Sequence, residues 1–385
     1  MGLRPPWRPP QFDNLFYHLI CRSGKHFFSI CRKSTNIYLI NIDTRAHACE
    51  RKKSVAYFVA LWYNRLMKAL SIGTNQVEYV EIETPIEEGH IKVKVTLAAI
   101  THADVALSMG ADKDKLPRIG GRIAVGLVSE APESTGLMKG ERVLLSPYRD
   151  GKVRGLDIDG YLSEYAVVPM DCVYPLPEGV TDRDAIFAEL IAVAVRTIDK
   201  LNVQDGEYVT LLGTDYLSLI LAQLVDYYHA IPIIVANEDE GLQLAQDMGL
   251  TYCIDKRTTD VLSRIRNITG GVMTDCTVFE GLHPVDPQLA IDATKMLGRI
   301  CIVGTDGYIG PIQADLSNIM RKRIVLTGAT NGGRNILTAI NLLATEALHV
   351  DFFQPKTIDF EQAKDTLEIL STTPNFNGLV LCRID

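Results

Sequence analysis

The sequence predicts an α/β protein with two parts, a small antiparallel β domain followed by a doubly wound parallel sheet. Three observations carry this. Glu207 to Asp239 reads strand, turn, helix, strand within about thirty residues, a βαβ unit. From Gly241 to Gly328 short helical stretches alternate with short apolar strands. Between Met67 and Val168 alternating strands are closely spaced and separated by Gly, Pro and Asn turns.

In chain order, residues 1–66 come first and stand apart. They hold eleven Lys and Arg against three acids, although the whole chain carries a net charge of -8. They show no sustained period of either kind and open on the breaker-rich PPWRPP. This basic extension is expected to be unstructured or to lie outside the native protein. A basic leader and a basic arm for an anionic surface are the competing readings. The preferred reading starts the protein at Met67, where charge and periodicity both change.

Residues 67–192 form the β domain. Its strands are read at Lys68–Ile72, Val77–Ile82, His90–Ala99, Ala124–Glu130, Gly140–Leu145 and Gly160–Val168, and a helix over Asp182–Lys200 leads out of it. Residues 193–333 form the parallel sheet. Its strands are read at Tyr208–Leu212, Ile231–Ala236, Tyr252–Ile254, Asp275–Phe279, Arg299–Gly304 and Arg323–Gly328. Helices lie between them at Leu217–Tyr228, Gly241–Gly249, Val261–Ile268 and Leu289–Met296. Residues 334–385 return to the first domain as helix, strand, helix, strand.

Composition excludes several classes. An apolar share of 47% is ample for ordinary cores, and the net negative charge argues against a nucleic-acid binder. No apolar run reaches the ~18 residues of a membrane span. The eight cysteines are scattered with no CxxC, which reads as buried thiols in a reducing, cytoplasmic setting.

From Met67 onward the motifs resemble the medium-chain dehydrogenase/reductase superfamily, the alcohol dehydrogenase-like group. Leu97-Ala-Ala-Ile-Thr-His-Ala-Asp104 resembles the stretch ending C-[GH]-[ST]-D, and Pro117 to Gly126 resembles P-x-x-x-G-H-E-x-x-G. Gly140-Glu-Arg-Val matches G-[DE]-R-V, Glu189-Leu-Ile-Ala resembles E-P-L-A, and Leu297 to Gly304 resembles G-G-R-[VI]-x-x-[VI]-G. The resemblance implies a GroES-like catalytic domain and a Rossmann-type dinucleotide-binding domain. It also implies a small-molecule substrate and assembly as a homodimer or homotetramer.

The departures bear on function. Thr101 and Arg122 stand where zinc members carry cysteine and histidine, with Glu189 kept at the third position. Threonine is a poor ligand and arginine does not shed its proton, so no zinc is expected. The loop over Tyr148–Asp159 lacks the four cysteines of a structural zinc. Two roles stand for Arg122: a cation facing a substrate oxygen, or a salt bridge with Glu189 that only fills the pocket. Thr101, His102 and Tyr148 complete the catalytic candidates.

The cofactor candidates are Gly213, Thr214, Asp215, Leu217, Asn237 and Gly304. The turn after the first parallel strand keeps one of three signature glycines; Asp215 and Ser218 replace the others. Asp215 sets a carboxylate beside a diphosphate, and Ala236 stands at the acidic ribose position. Asn237, Glu238 and Asp239 follow and disfavour a 2'-phosphate, so NAD is the expected cofactor. Two functions remain open at this point: a zinc-independent oxidoreductase acting on a small carbonyl, alcohol or enone, or a catalytically inactive relative serving as a ligand-binding or assembly module.

Overall fold

The computed structural model describes residues 15–20, 27–33, 36–41, 66–73, 76–84, 88–110, 112–280, 287–304, 313–372, 376 and 378–384. It divides into two units, residues 1–64 and 65–385. In the first, β1 (Leu15–Ile20), β2 (Phe27–Lys33) and β3 (Asn36–Asn41) form an antiparallel meander. The sequence reading expected either no regular structure there or a segment outside the native protein, and the three strands depart from the first alternative alone. Runs such as FFSI and NIYLI are aromatic and β-branched, the composition that strands favour, although no face alternates. The opening PPWRPP lies outside the described residues.

The second unit begins with β4 (Leu66–Gly73), β5 (Gln76–Glu83) and the twelve-residue β6 (His90–Thr101). Then follow α1 (His102–Ser108), β7 (Arg118–Ile119), β8 (Ala124–Glu130) and β9 (Arg142–Leu145). The hairpin β10 (Tyr148–Arg149) and β11 (Lys152–Val153) precedes β12 (Tyr165–Pro169) and β13 (Val173–Pro175). Strand β6 is long enough to serve three partners. It pairs along β8, its first half takes β12, and its second half takes the last strand of the chain, Leu379–Arg383. The tail is thereby stitched into the first β domain.

The single helix read over Asp182–Lys200 is two, α2 (Asp182–Ala185) and α3 (Ala188–Leu201), broken at Ile186 and Phe187. Both residues at the break are buried. Helix α3 is the beam between the two sheets. One apolar core runs from Leu97, Ile123 and Leu144 through Ile191, Val195 and Ile198 to Val209, Leu211 and Ile220.

The parallel sheet contains β14 (Tyr208–Leu212), β15 (Ile231–Ala236), β16 (Tyr252–Asp255), β17 (Thr274–Glu280), β18 (Thr294–Val303) and β19 (Val325–Ala329). Their order is β16-β15-β14-β17-β18-β19, so the winding reverses between β14 and β17. This is the doubly wound arrangement, whose crevice lies beyond the carboxyl ends of the strands at that reversal. The connecting helices include α4 (Tyr216–Tyr227), α5 (Asp239–Asp247), α6 (Val261–Ile268) and α7 (Pro287–Ala293). Helix α7 stops at Ala293, three residues short of the helix read at Leu289–Met296, because β18 already begins at Thr294. Lys322 holds that end, its ammonium donating to the carbonyls of Ile291, Asp292 and Thr294.

Candidate functional site

Glycines build the seat of Arg122. A Cβ on Gly160 would fall 2.1 Å from the Gly121 carbonyl, and one on Gly155 would fall 2.9 Å from the same oxygen and 3.3 Å from Arg122 Cγ. Only residues without side chains let the 155–160 segment close over residues 120–122. Arg122 is 0% exposed in consequence, and Glu189, in the first turn of α3, is 3% exposed.

The two meet. Arg122 Nε and Nη2 donate to the same oxygen, Glu189 Oε1, at 3.1 and 2.6 Å. The contact is therefore convergent, not the fork-on-fork pairing in which each carboxylate oxygen takes one N–H. The Tyr148 hydroxyl is a third donor to that oxygen at 3.0 Å. Burial, then the neighbouring Glu189 charge, raises the Tyr148 phenol well above its ordinary value. Tyr148 is thus a hydrogen-bond donor and not a base at any ordinary pH.

Thr101 and His102 both have partners within the fold. The Thr101 hydroxyl donates to Asp104 Oδ2 at 3.0 Å, and its backbone N–H donates to the same oxygen at 2.8 Å. Its hydroxyl proton is thus engaged by Asp104 within the capping box of α1. Asp104 also accepts from Gly121 N at 2.6 Å, tying α1 to the arginine loop. The His102 ring packs edge-on against Phe376, 4.8 Å between centroids, and lies against Gly378. It braces the returning tail. Among the described residues no group of three or more His, Cys, Asp or Glu side chains is placed to share a metal ion.

At the crevice of the parallel sheet, Gly213 has φ +136°, a conformation suited to glycine. Asp215 is the N-cap of α4: Oδ1 accepts from Ser218 N at 2.9 Å and Oδ2 from Ser218 Oγ at 2.8 Å. The Thr214 side chain reaches Glu238 Oε2 at 3.4 Å and fills the space against Gly241. Leu217 faces the core at 2% exposure, so its side chain is not a cofactor contact. Asn237 is exposed and turns its amide onto the Glu238 carboxylate. The Gly304 N–H donates to the Ala329 carbonyl at 3.1 Å, and a Cβ added at Gly304 would meet nothing within 4 Å. Of the cofactor candidates, Gly304 alone offers open backbone; Gly213 lies under the Asp215 and Ser218 side chains, and Thr214 closes the side toward α5.

The site also contains residues that sequence reasoning did not name. Glu280, 4% exposed, ends β17 beside the crevice, and Gly155 and Gly160 shape the arginine seat. A buried acid at a strand end has no local sequence signal. The glycines were visible, but their partner across the fold was not.

Comparison with known proteins gives two matching family models. Residues 87–178 match the alcohol dehydrogenase GroES-like domain, and residues 217–345 match the zinc-binding dehydrogenase model. An uncharacterized zinc-type alcohol dehydrogenase-like protein of Haemophilus influenzae is 24% identical over 321 residues, 78% of this chain and 93% of that one. The L-threonine 3-dehydrogenase of Pyrococcus abyssi is 25% identical over 323 residues, 76% of this chain and 91% of that one. Among solved structures, the alcohol dehydrogenase RspB from E. coli CFT073, crystallised with NADH, superposes with a TM-score of 0.73 at 23% identity. That match covers 83% of this chain and 99% of the other.

Proposed function

The chain belongs to the medium-chain dehydrogenase/reductase superfamily, and from that membership we propose that it is a metal-independent oxidoreductase. In this reading it moves a hydride between NAD and a small carbonyl, alcohol or enone. The dehydrogenase names of its relatives and the NADH held by RspB support the reaction class and the cofactor. The observation that carries the metal-independent reading is the buried convergence of Arg122, Tyr148 and Glu189. A guanidinium keeps its protons and does not coordinate zinc, and this one is spent on the carboxylate at the third ligand position. The donor set present does not fit a catalytic zinc.

What the cluster offers instead is a fixed positive charge and a protonated phenol beside each other. An oxygen entering beside the half-buried Tyr148 meets its hydroxyl, while Arg122, enclosed beneath the glycines, acts only through the fixed charge it sets behind Glu189 and Tyr148. Glu189 orients both donors. NAD is favoured over NADP because Glu238 stands two residues past Ala236 at the end of β15, where its carboxylate opposes a 2'-phosphate. Asp215 caps the amino end of α4, so a pyrophosphate reaches that helix end only by displacing it.

That same Asp215 favours a second reading, a non-catalytic relative serving as a ligand-binding or assembly module. Titration of the full chain with NADH and NADPH, followed by nicotinamide fluorescence with a chelator present, separates the two. Binding followed by turnover of a carbonyl or alcohol panel supports the enzyme. An unchanged signal with both nucleotides up to millimolar concentration retires it.

A further inference from the structure

We propose that Asp215 is an internal stand-in for phosphate, a carboxylate that competes with a dinucleotide for the amino end of α4 and so controls whether the crevice accepts one. The ligand class rests on the oxidoreductase reading above; the competition itself rests on the geometry of the turn.

The place is the one where a dinucleotide's pyrophosphate would lie, at the carboxyl end of β14 beside the reversal of strand order. Helix α4 is twelve residues long, and its first amides point out of this end. In this chain an anion already meets them. Asp215, 9% exposed, takes the Ser218 amide on one oxygen and the Ser218 hydroxyl on the other. The carboxylate also lies over the approach to the backbone. A Cβ built on Gly213 would come within 3.0 Å of Asp215 Oδ2 and 3.3 Å of Ser218 Oγ. The one glycine that leaves room for a phosphate is roofed by its neighbour's side chain.

The surroundings reinforce the block. Thr214 closes the gap toward α5, and Glu238 accepts from it. Glu280 adds a further buried carboxyl group at the end of β17. Arg257 is paired to Asp239 and Asp255. A dinucleotide entering this turn has to displace Asp215 from its cap and then sit beside its charge. Together these lower affinity by about tenfold or more.

The test compares the native full chain with Asp215→Ser and Asp215→Asn, which keep a side-chain oxygen for the Ser218 amide but remove the charge. NADH is titrated by nicotinamide fluorescence, and inorganic pyrophosphate by thermal shift. Weak but measurable binding by the native chain, at least about tenfold tighter NADH binding by either variant, and stabilisation of the variants alone by pyrophosphate are the expected results. If the native chain fails to bind while a variant binds, the stand-in role holds and the native chain is not a nicotinamide enzyme. Equal dissociation constants in all three overturn the stand-in role and leave the enzyme reading intact. If none binds either probe, both are overturned.

Discussion

Replacing Arg122 by Met tests the buried cluster most directly. The substitution removes two of the three hydrogen bonds to Glu189 Oε1, those at 3.1 and 2.6 Å, and leaves that oxygen the Tyr148 hydroxyl. Both charged partners are withdrawn from water, Arg122 completely. Removing one partner of such a pair costs roughly 3–5 kcal/mol, because the other charge stays buried without its counter-ion. In a large domain about 2 °C of melting temperature corresponds to each kcal/mol, so Arg122→Met is expected to melt about 6–10 °C lower by circular dichroism. The double variant Arg122→Met with Glu189→Leu removes the orphaned charge and recovers most of that loss. Recovery stops about 1 kcal/mol short, since the Tyr148 hydroxyl loses its acceptor. A single variant melting within about 2 °C of native, or a double variant as unstable as the two single losses combined, refutes the reasoning.

Burial pushes the Asp104 carboxyl above its ordinary 3.8 despite the N–H groups of Gly121 and Thr101 that it accepts from. From its ordinary value up to the raised one the native state keeps a proton that the unfolded chain has released, so this group's contribution to stability falls as pH rises above 3.8 and levels off once both states are ionised. Asp104→Asn is expected to lose that slope in denaturation midpoints taken over about pH 4 to 7, and to be less stable by about 1–3 kcal/mol where one N–H loses its acceptor. Burial pushes the thiols of Cys276, Cys301 and Cys382 up to about 12. Mass-mapped alkylation of the native chain should leave these three unmodified until denaturant is added. Val325 and Leu326 are exposed on the edge strand β19, at 58% and 48%. A second copy is expected to cover them. Leu326→Lys should then lower the molar mass measured by light scattering, and an unchanged mass would place the contact elsewhere.

The parallel sheet was legible because its signal is local. Each strand is a short buried run and each helix repeats every three or four residues, so existence and order came through even where ends shifted. The Arg122–Glu189 couple was legible through motif order, although the residues lie 67 positions apart. The capture of Thr101 by Asp104 also has a sequence signal, since Thr-x-x-Asp has capping-box spacing; the likeness of that position to a metal ligand masked it. Asp215 was read as a charge opposing phosphate, but the same residue three before Ser218 is equally an N-cap, which makes the opposition structural. The closure of Gly155 and Gly160 over Gly121 had no sequence signal, because it depends on a contact made only after the β domain folds. The boundary at Thr294 was misread for a related reason. Lys295, Met296 and Leu297 favour a helix locally, but they lie in the register shift between the Thr274–Thr294 and Cys276–Arg299 pairs of β17 and β18, with Leu297 at φ +60°.

Arg122 and Asp215 follow one electrostatic rule in two places. A carboxylate at Glu189, buried at the head of α3, demands a positive partner, and a helix end at α4 favours a negative one. In each case this chain supplies the partner from its own sequence, a guanidinium at one site and a carboxylate at the other. Charge is thereby balanced in the folded chain with no ligand required at either position. The two sites differ in what release would cost. Arg122 is fully enclosed beneath glycines and can leave only by opening the fold around it, whereas Asp215 sits at a turn where one side-chain rotation frees the helix end. Exchange with an outside ligand is therefore expected at the turn and not at the arginine, so substitutions at Asp215 should alter binding and substitutions at Arg122 should alter stability first.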